Sequence, residues 1–236
     1  MLLEVKNLNV AYGDVQVLWD INLQVDEGQI VALVGSNGAG KSTLLRTLSG
    51  FLKPISGEIL FDGKPIHGLK SNEIVNMGII HVPEGRHLFP DMTVEENLLM
   101  GAYRRGKDPD IEKDLKEMIY PLFPRLEERR HQKAGSLSGG EQQMVAMARG
   151  LIARPRVLLI DEMSLGLAPL IVDDLIDIVK KIHEEGTTIF LVEQDVYLAL
   201  SNSQYGYVLA TGRVVMEGPS KELLENKEIK EVYLGM

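Results

Sequence analysis

Eight residues near the start of the chain have the types and the spacing of a phosphate-binding loop. Residues 35–42, Gly-Ser-Asn-Gly-Ala-Gly-Lys-Ser, fit the pattern G-x-x-x-x-G-K-[ST]. Glycines let the backbone wrap closely around phosphates, and the N–H groups at the start of the following helix point at the anion. In this pattern Lys41 reaches the β- and γ-phosphates, and the Ser42 hydroxyl ligates Mg²⁺. The sequence therefore predicts a site for a nucleotide and its magnesium ion.

Two carboxylates at the end of a short apolar run form the second candidate site. Residues 157–160 are Val-Leu-Leu-Ile, and Asp161 and Glu162 follow them. In P-loop proteins an Asp at such a strand end holds Mg²⁺. Because side chains alternate along a strand, the two carboxylates should point in different directions, so Glu162 could face an attacking water as general base. Alone, the pair would more simply be a solvated acidic turn, but the upstream P-loop favours the catalytic interpretation.

Ser138, Gly139 and Gly140 open a second marked helix, with Glu141 directly after them. Ser138 and Glu141 form a capping-box pattern, and an exposed helix N-terminus attracts anions. An ordinary N-cap would explain an isolated Ser-Gly-Gly. A second phosphate cradle becomes useful if two copies of the chain are arranged head to tail, because each nucleotide would then meet both cradles.

The predicted secondary structure places these motifs at the ends of strands and the starts of helices. We expect strands over residues 2–10, 15–25, 30–34, 58–61, 64–66, 79–82, 157–162, 187–192, 205–210 and 213–216. We expect helices over residues 43–48, from 93, over 110–126, from 137 to the break at Arg154-Pro155, and over 171–182 and 221–233. The Asp-Gly pair at 62–63 suits a type I′ hairpin turn. Residues 86–155 are predicted to form a mostly helical insertion, which follows the strands of an antiparallel sheet in the chain.

Composition limits the classes of function. The chain has 236 residues, 44% of them hydrophobic, so a sizeable core is expected. The absence of cysteine excludes disulfides, Cys-ligated zinc and thiol catalysis, and it suits a reducing compartment. A net charge of -9 argues against broad nucleic-acid binding. No apolar run approaches the roughly 18 residues of a membrane span and no signal sequence is evident, so we expect a soluble chain whose membrane role would come through a partner.

Taken together and in this order, the P-loop, the Ser-Gly-Gly helix start and the strand ending in Asp161 and Glu162 resemble an ATP-binding-cassette (ABC) ATPase subunit. The resemblance covers essentially the whole chain. It implies an α/β fold with a P-loop NTPase (RecA-like) core, an N-terminal antiparallel β subdomain and an inserted helical subdomain. One ABC domain would span residues 1–236. Residues 1–85 and 156–236 would form the core with the β subdomain, and residues 86–155 the helical subdomain.

The resemblance also implies a head-to-tail dimer with two ATP molecules and their Mg²⁺ ions at the interface. Implied contacts to ATP are Tyr12, Gly35, Ser36, Asn37, Gly38, Ala39, Gly40, Lys41, Ser42 and Thr43 of one subunit, and Ser138, Gly139, Gly140 and Glu141 of the other. Tyr12 would stack on adenine, although from the residues alone it is equally well a turn aromatic. The implied metal ligands are Ser42, Asp161 and Glu84, and the implied catalytic residues are Glu162, Gln194 and Glu84.

Four shorter segments narrow the resemblance to the second ATPase subunit of branched-chain amino acid importers. They are Val-Pro-Glu-Gly-Arg at 82–86, Ser-Leu-Gly-Leu-Ala-Pro at 164–169, Val-Glu-Gln-Asp at 192–195 and Val-Tyr-Leu-Gly at 232–235. Such a subunit lies on the cytoplasmic face of the membrane beneath integral-membrane permeases, with a second ATPase subunit beside it and a solute-binding protein supplying the cargo. Importers of urea or short amides share the pattern. A soluble ABC protein of translation or DNA maintenance, or a P-loop kinase, is less favoured.

Three positions depart from the broader ABC pattern. Glu84 stands where a glutamine usually contacts Mg²⁺ and the attacking water, and Gln194 stands where a histidine is usual. An amide can hydrogen-bond phosphate but cannot hold a positive charge. Ala168 replaces a usual Asp, which puts one contact across the dimer in doubt.

Met92 and Met100 are candidates for contact with a permease, because they could line a groove that receives a permease helix.

Overall fold

The computed structural model describes residues 1–231, which form ten strands. They are β1 (Leu3–Tyr12), β2 (Val15–Val25), β3 (Ile30–Val34), β4 (Ser56–Phe61), β5 (Lys64–Pro65), β6 (Ile79–Val82), β7 (Val157–Asp161), β8 (Thr188–Glu193), β9 (Tyr205–Ala210) and β10 (Arg213–Pro219). The segment 232–235, which carried one part of the family resemblance, and the end of the predicted helix 221–233 lie outside the described residues.

The helices surround these strands. They are α1 (Lys41–Leu48), α2 (Ser71–Asn76), α3 (Val94–Gly101), α4 (Ile111–Asp114), α5 (Tyr120–Leu122), α6 (Pro124–Glu128), α7 (Gly139–Leu151), α8 (Pro169–Glu184), α9 (Val196–Ser201), α10 (Ser220–Glu225) and α11 (Lys227–Ile229). Short 3-10 turns cover Tyr103–Arg105 and Ala134–Ser136, and a π-helical turn covers Leu115–Ile119.

Two sheets organise the chain. One is antiparallel with the order β2-β1-β4-β5, and the other has the order β10-β9-β3-β8-β7-β6. In the second sheet β9, β3, β8, β7 and β6 run parallel and only β10 is antiparallel. Every residue of β3, β7 and β8 is buried, as expected for parallel strands covered on both faces. One face packs on the antiparallel sheet and α1, and the other packs on α7 and α8.

The register of the parallel strands gathers the candidate residues at one edge. Val34, which precedes the P-loop, pairs with Glu193, and Asp161 pairs with Val192. Val82, two residues before Glu84, pairs with Ile160. Carboxyl ends of parallel strands meet at the same edge of a sheet, where open α/β sheets bind ligands. Four loops distant in sequence therefore start side by side.

Most predicted elements are present, and the main correction concerns the single helix expected over 110–126. That stretch is broken into α4, a π-helical turn, α5 and α6. Pro121 and Pro124 explain the break, because proline has no N–H to donate and disfavours helical backbone in the residue before it. Phe123, directly before Pro124, has φ -129° and ψ 65°. Two helices, α2 and α9, were not predicted.

Candidate nucleotide-binding site

The P-loop connects β3 to α1 with a helix N-terminus that no side chain of the described residues caps. Gly40 precedes α1 with φ 112°, a conformation that favours glycine. A Cβ atom there would also lie 2.6 Å from Cδ2 of Leu18. The first N–H groups of α1 thus remain available for an anion, as the sequence predicts.

Lys41, the first residue of α1, has contacts that sequence reasoning did not anticipate. Its side chain is almost fully buried, and Nζ donates to the carbonyl oxygens of Gly35 at 2.8 Å and Ser36 at 3.2 Å. Nζ is also 3.0 Å from Oε1 of Glu162, whose side chain is 8% exposed. The expected phosphate ligand and the expected general base therefore form a buried ion pair with each other.

Glu162 does not continue the strand, contrary to the alternation predicted for the two carboxylates. β7 ends at Asp161, so Glu162 lies beyond the strand, and its φ of 45° is left-handed. Its N–H still donates to the carbonyl of Val192 at 2.8 Å. Strand alternation therefore does not set the direction of Glu162. Left-handed backbone is unfavourable for a residue with a Cβ, and such strain is common at functional sites.

Asp161 is the residue best suited to a metal. It is 3% exposed, and its Oδ1 has no hydrogen-bond partner among the described residues. Burial raises the pKa of the Asp161 carboxyl to about 6; the charges of Glu162 and Glu84 act in the same direction, while Ser42 and Lys41 oppose them. An unpartnered carboxylate oxygen beside a hydroxyl and a second carboxylate is the oxygen-rich chemistry that Mg²⁺ prefers.

The protein side chains alone do not complete that metal site. Within residues 1–231, no group of three or more His, Cys, Asp or Glu side chains is arranged to hold a metal ion. Mg²⁺ usually keeps waters and is bound through one or two carboxylates together with substrate phosphates. Ser42 and Asp161 fit that arrangement, and Glu84 lines the same cavity as Ser42.

One cavity of about 410 Å³ is lined by seven of the ten residues predicted to contact ATP from the P-loop side; Gly35, Ser36 and Ala39 do not line it. Its lining includes Tyr12, Lys41, Ser42, Glu84 and Glu162. Tyr12 is 43% exposed at the end of β1, so its ring is accessible to a planar base. The N-terminal sheet, the P-loop and two strand ends therefore contribute to a single pocket.

Gln194 lies just outside this pocket. It lines an adjoining cavity of about 450 Å³ that shares Glu162 and Leu165 with the first.

Glu193 precedes Gln194 at the end of β8 and was not among the predicted site residues. It is 1% exposed and accepts hydrogen bonds from the N–H of Ser164 at 3.1 Å and from its hydroxyl at 2.7 Å.

Glu193 anchors the loop that follows Glu162. Burial raises the pKa of the Glu193 carboxyl to about 7, despite the opposing hydrogen bonds from Ser164. A charged residue at the end of an otherwise apolar strand was the available sequence signal. Its partner could not be predicted, because Ser164 is 29 residues away in the chain.

The Ser-Gly-Gly helix start does not line the P-loop cavity of its own chain. Ser138 caps α7 and Glu141 completes the capping box, as predicted. Gly140 is packed tightly, since a Cβ there would lie 2.6 Å from Cγ2 of Ile171. The P-loop and this helix start are thus separate surfaces within one chain.

Two arginines that sequence reasoning missed tie the Glu84 loop to α7. Gly85, Arg86 and His87 all have positive φ. Arg149 of α7 donates to the carbonyl of His87 at 2.8 Å and to that of Arg86 at 2.9 Å. Arg86 donates to Oε1 of Gln142 at 3.1 Å. The loop that carries Glu84 is therefore held by the helix that Ser138 caps.

A mostly apolar groove of about 460 Å³ lies on the other side of that loop. Phe51, Phe89, Met100 and Tyr103 line it and are exposed, whereas Met92 is not among its lining residues. Met100 therefore lines this groove and Met92 does not.

His81 lies in the wall of this groove. The Ser49 hydroxyl donates to the carbonyl of Leu45 at 2.7 Å and lies 3.1 Å from Nδ1 of His81. Since the hydroxyl has one proton, Nδ1 must donate, and Nε2 is a buried acceptor without a partner among the described residues. Burial, aided by the charge of Arg46, lowers the pKa of His81 to about 4, so the ring is neutral at pH 7.

Comparison with known proteins identifies clear relatives. A family model described as ABC transporter matches residues 18–164. The high-affinity branched-chain amino acid transport ATP-binding protein BraG of Pseudomonas aeruginosa is 45% identical over 234 residues, which is 99% of this chain and 100% of that protein. The probable branched-chain amino acid transport ATP-binding protein LivF of Archaeoglobus fulgidus is 36% identical over 100% of this chain and 99% of its own length.

Solved structures agree with this assignment. A nucleotide-free ATP-binding cassette from an ABC transporter superposes with a TM-score of 0.86 at 28% identity, covering 100% of this chain and 99% of that one. An ATP-binding cassette in its ADP conformation gives 0.84 at 27% identity, with the same coverage. The predicted fold class is confirmed.

No helix within residues 1–231 combines the length and apolarity needed to cross a membrane.

Proposed function

This chain belongs to the ABC transporter family of ATP-binding subunits, and from that premise we propose that it powers an importer of branched-chain amino acids. Membership confirms the predicted family and an ATP-binding, ATP-hydrolysing role. The observation that carries the cargo is the 45% identity, over essentially the full length of both chains, to a protein named for branched-chain amino acid transport. An importer of urea, amides or another small solute is the alternative.

One half of the ATP site is assigned to the cavity of this chain. Tyr12 stacks on adenine, and the backbone from Gly35 to Thr43 holds the phosphates. Lys41 turns from Glu162 to the β- and γ-phosphates. The buried position of Lys41, already beside the P-loop carbonyls, supports this role because only a short movement of its flexible side chain is needed.

Ser42 and Asp161 would hold Mg²⁺, with Glu84 as the third candidate, and the ion would neutralise charge on the phosphates. Glu162 is assigned as the general base that accepts a proton from the attacking water. Its release from Lys41 on ATP binding frees the carboxylate for that purpose. Gln194 is assigned to orient the γ-phosphate by hydrogen bonding, and its place in the cavity that adjoins Glu162 supports this.

The other half of the ATP site is assigned to a second ATPase subunit. Ser138, Gly139, Gly140 and Glu141 of that subunit would close over the ATP held by the P-loop of this one. Support comes from the separation of the two surfaces within one chain: none of these four residues lines the P-loop cavity. The partner can be a copy of this chain or a related subunit.

The apolar groove is assigned to a permease subunit. Four exposed aromatic or methionine side chains in one groove form the kind of surface that receives an amphipathic helix. The groove includes residues of the assigned helical subdomain, 86–155, and of the core. Docking there would hold the chain on the cytoplasmic face of the membrane, with a solute-binding protein acting from the opposite side.

Copurification and reconstitution test this proposal. The tagged chain, expressed with its neighbouring transport genes, should copurify with hydrophobic permease subunits. In proteoliposomes, ATP hydrolysis should be stimulated by the solute-binding protein loaded with leucine, isoleucine or valine. Stimulation by urea or an amide instead would overturn the cargo, and failure to recover any membrane subunit would overturn the importer role.

A further inference from the structure

The start of α7 carries an ion pair that the proposed function leaves without a role. Glu141 accepts hydrogen bonds from the N–H of Ser138 at 3.0 Å and from its hydroxyl at 2.9 Å, both at Oε2. Its other oxygen, Oε1, lies 2.8 Å from Nε of Arg129. The N–H of Arg129 is not aligned with Oε1, so the contact is ionic rather than a linear hydrogen bond.

Glu141 is a charged group at a place that must accept another anion. Burial alone would raise the pKa of its carboxyl, but the hydrogen bonds from Ser138 and the charges of Arg129 and Arg125 outweigh burial and lower it. Glu141 is therefore ionised at neutral pH. A carboxylate three residues from Ser138 would repel a phosphate that approaches the helix start.

The hydroxyl of Ser138 is also committed. It has one proton, and that proton is donated to Glu141. To donate to a phosphate, Ser138 must release Glu141, whose Oε2 then loses one of its two hydrogen bonds. A cation on the other carboxylate oxygen lowers the cost of that release, because it keeps the charge of Glu141 compensated.

We propose that Arg129 is a positioning residue for ATP bound across the dimer: its guanidinium compensates Glu141, so that the start of α7 can accept the phosphate and Ser138 can turn to it. Arg129 follows α6 directly, and its side chain is 36% exposed. It acts through Glu141 and need not touch the nucleotide. The inference rests on the proposed function, since it requires that Ser138 meets the ATP of another subunit.

The test is a double-mutant cycle on the intact transporter. We would measure the ATP concentration that half-saturates hydrolysis, and kcat, for wild type, Arg129→Gln, Glu141→Gln and the double variant. Arg129→Gln should raise the half-saturating ATP concentration by about 10-fold, with a smaller change in kcat, because the uncompensated carboxylate opposes phosphate binding. In the Glu141→Gln background the same change should have an effect below about 2-fold, because no charge remains to compensate.

Arg130→Gln is the matched control. It removes the same charge one residue away, and Arg130 makes no ion pair with a carboxylate of the described residues; its Nε contacts His131. Its half-saturating ATP concentration should stay at the wild-type value. If Arg129→Gln fails to fold because Glu141 is left unpaired, the double variant should fold and bind ATP. Arg129→Lys, which keeps the charge, should also remain close to wild type.

Two results would overturn the inference. One is an equal effect of Arg129→Gln in the wild-type and Glu141→Gln backgrounds, which would indicate a structural role independent of the carboxylate. The other is a normal half-saturating concentration in Arg129→Gln while Ser138→Ala raises it. If Ser138→Ala itself leaves ATP binding and hydrolysis unchanged, the proposed site between subunits is wrong, and the role of Arg129 fails with it.

Discussion

Replacing Glu162 with Gln should have two opposite effects: tighter ATP binding and much slower hydrolysis. Nζ of Lys41 lies 3.0 Å from Oε1 of Glu162, and both side chains are buried. ATP must break this pair before Lys41 can reach its phosphates. Gln keeps the shape of Glu but removes the charge, so Lys41 retains only the carbonyls of Gly35 and Ser36 as strong partners.

The size of the first effect follows from the geometry. Two unit charges at that distance attract by roughly 5–6 kcal/mol at an effective dielectric constant of 20, before the cost of desolvation. Desolvation offsets most of this, and we take about 1–2 kcal/mol as the net contribution that ATP must overcome. Since about 1.4 kcal/mol is a factor of ten, the Kd for ATP should fall by about 10-fold in Glu162→Gln.

The second effect follows from the assigned chemistry. A general base typically contributes about 10²–10⁴-fold to a rate, so kcat should fall by at least about 100-fold. Tight binding without hydrolysis should trap the ATP-bound dimer, which size-exclusion chromatography in the presence of ATP would reveal. Titration calorimetry with an ATP analogue that resists hydrolysis would give the Kd values of variant and wild type.

Glu193→Gln is the matched control for this experiment. It replaces a second buried carboxyl near Glu162, whose pKa of about 7 leaves it about half ionised at pH 7, and this carboxyl is bound to Ser164 and not to Lys41. It should therefore leave the affinity for ATP within about 2-fold of wild type. The reasoning is refuted if Glu162→Gln binds ATP no more tightly than wild type, or if Glu193→Gln tightens binding equally. A Glu162→Gln protein that stays monomeric and hydrolyses ATP normally would refute its role as base.

Four further predictions concern other parts of the molecule. His81 has a pKa of about 4 in the folded protein, below the ordinary value of about 6.5, so the unfolded state binds more protons between pH 4 and 6.5. The free energy of unfolding should therefore fall by roughly 3 kcal/mol as the pH drops from 7 to 4. Denaturant unfolding should show that His81→Asn lacks most of this change. Gly140→Val should destabilise the protein by about 2 kcal/mol in the same assay, because its Cβ would meet the stiff side chain of Ile171; a loss below about 0.5 kcal/mol would contradict that packing. Gln194→Ala should lower ATPase activity in the assembled transporter, and full activity would remove the assigned role. A cysteine at Met100 should cross-link to the permease, whereas one at the exposed Val215, on the sheet edge, should not. Equal cross-linking at the two positions would contradict the assignment of the groove as the docking site.

Features determined by local sequence could be predicted well. The P-loop depends on glycines that are adjacent in the chain, and the capping boxes at Thr93 and Ser138 each depend on a residue three positions away; both are present. The Asp-Gly turn at 62–63 is also local, and both residues have positive φ. In each case the chemical partners lie within one turn of backbone, so their spacing decides the structure.

Features that depend on tertiary structure could not be predicted. The ion pair between Lys41 and Glu162 requires the register of β3, β8 and β7, which no local pattern specifies. The left-handed backbone at Glu162 precedes a loop that Glu193 holds through Ser164, and these two partners are 29 residues apart in the chain. The pair of Arg129 and Glu141 requires the chain to return from α6 to the start of α7. Sequence thus indicated which residue types could act, whereas their mutual contacts needed the fold.

The stretch from Val82 to Phe89 has a thermodynamic consequence. Glu84 lines the P-loop cavity, while Val82, Pro83, His87 and Phe89 line the apolar groove, so one short segment is a wall shared by the two cavities that we propose as binding sites. Any ligand that shifts this segment in one site changes the free energy of occupying the other, and such linkage is reciprocal. If the docked membrane subunit tightens ATP binding by some factor, ATP must tighten the docking by the same factor. Assembly and nucleotide affinity are then two measurements of one coupling free energy.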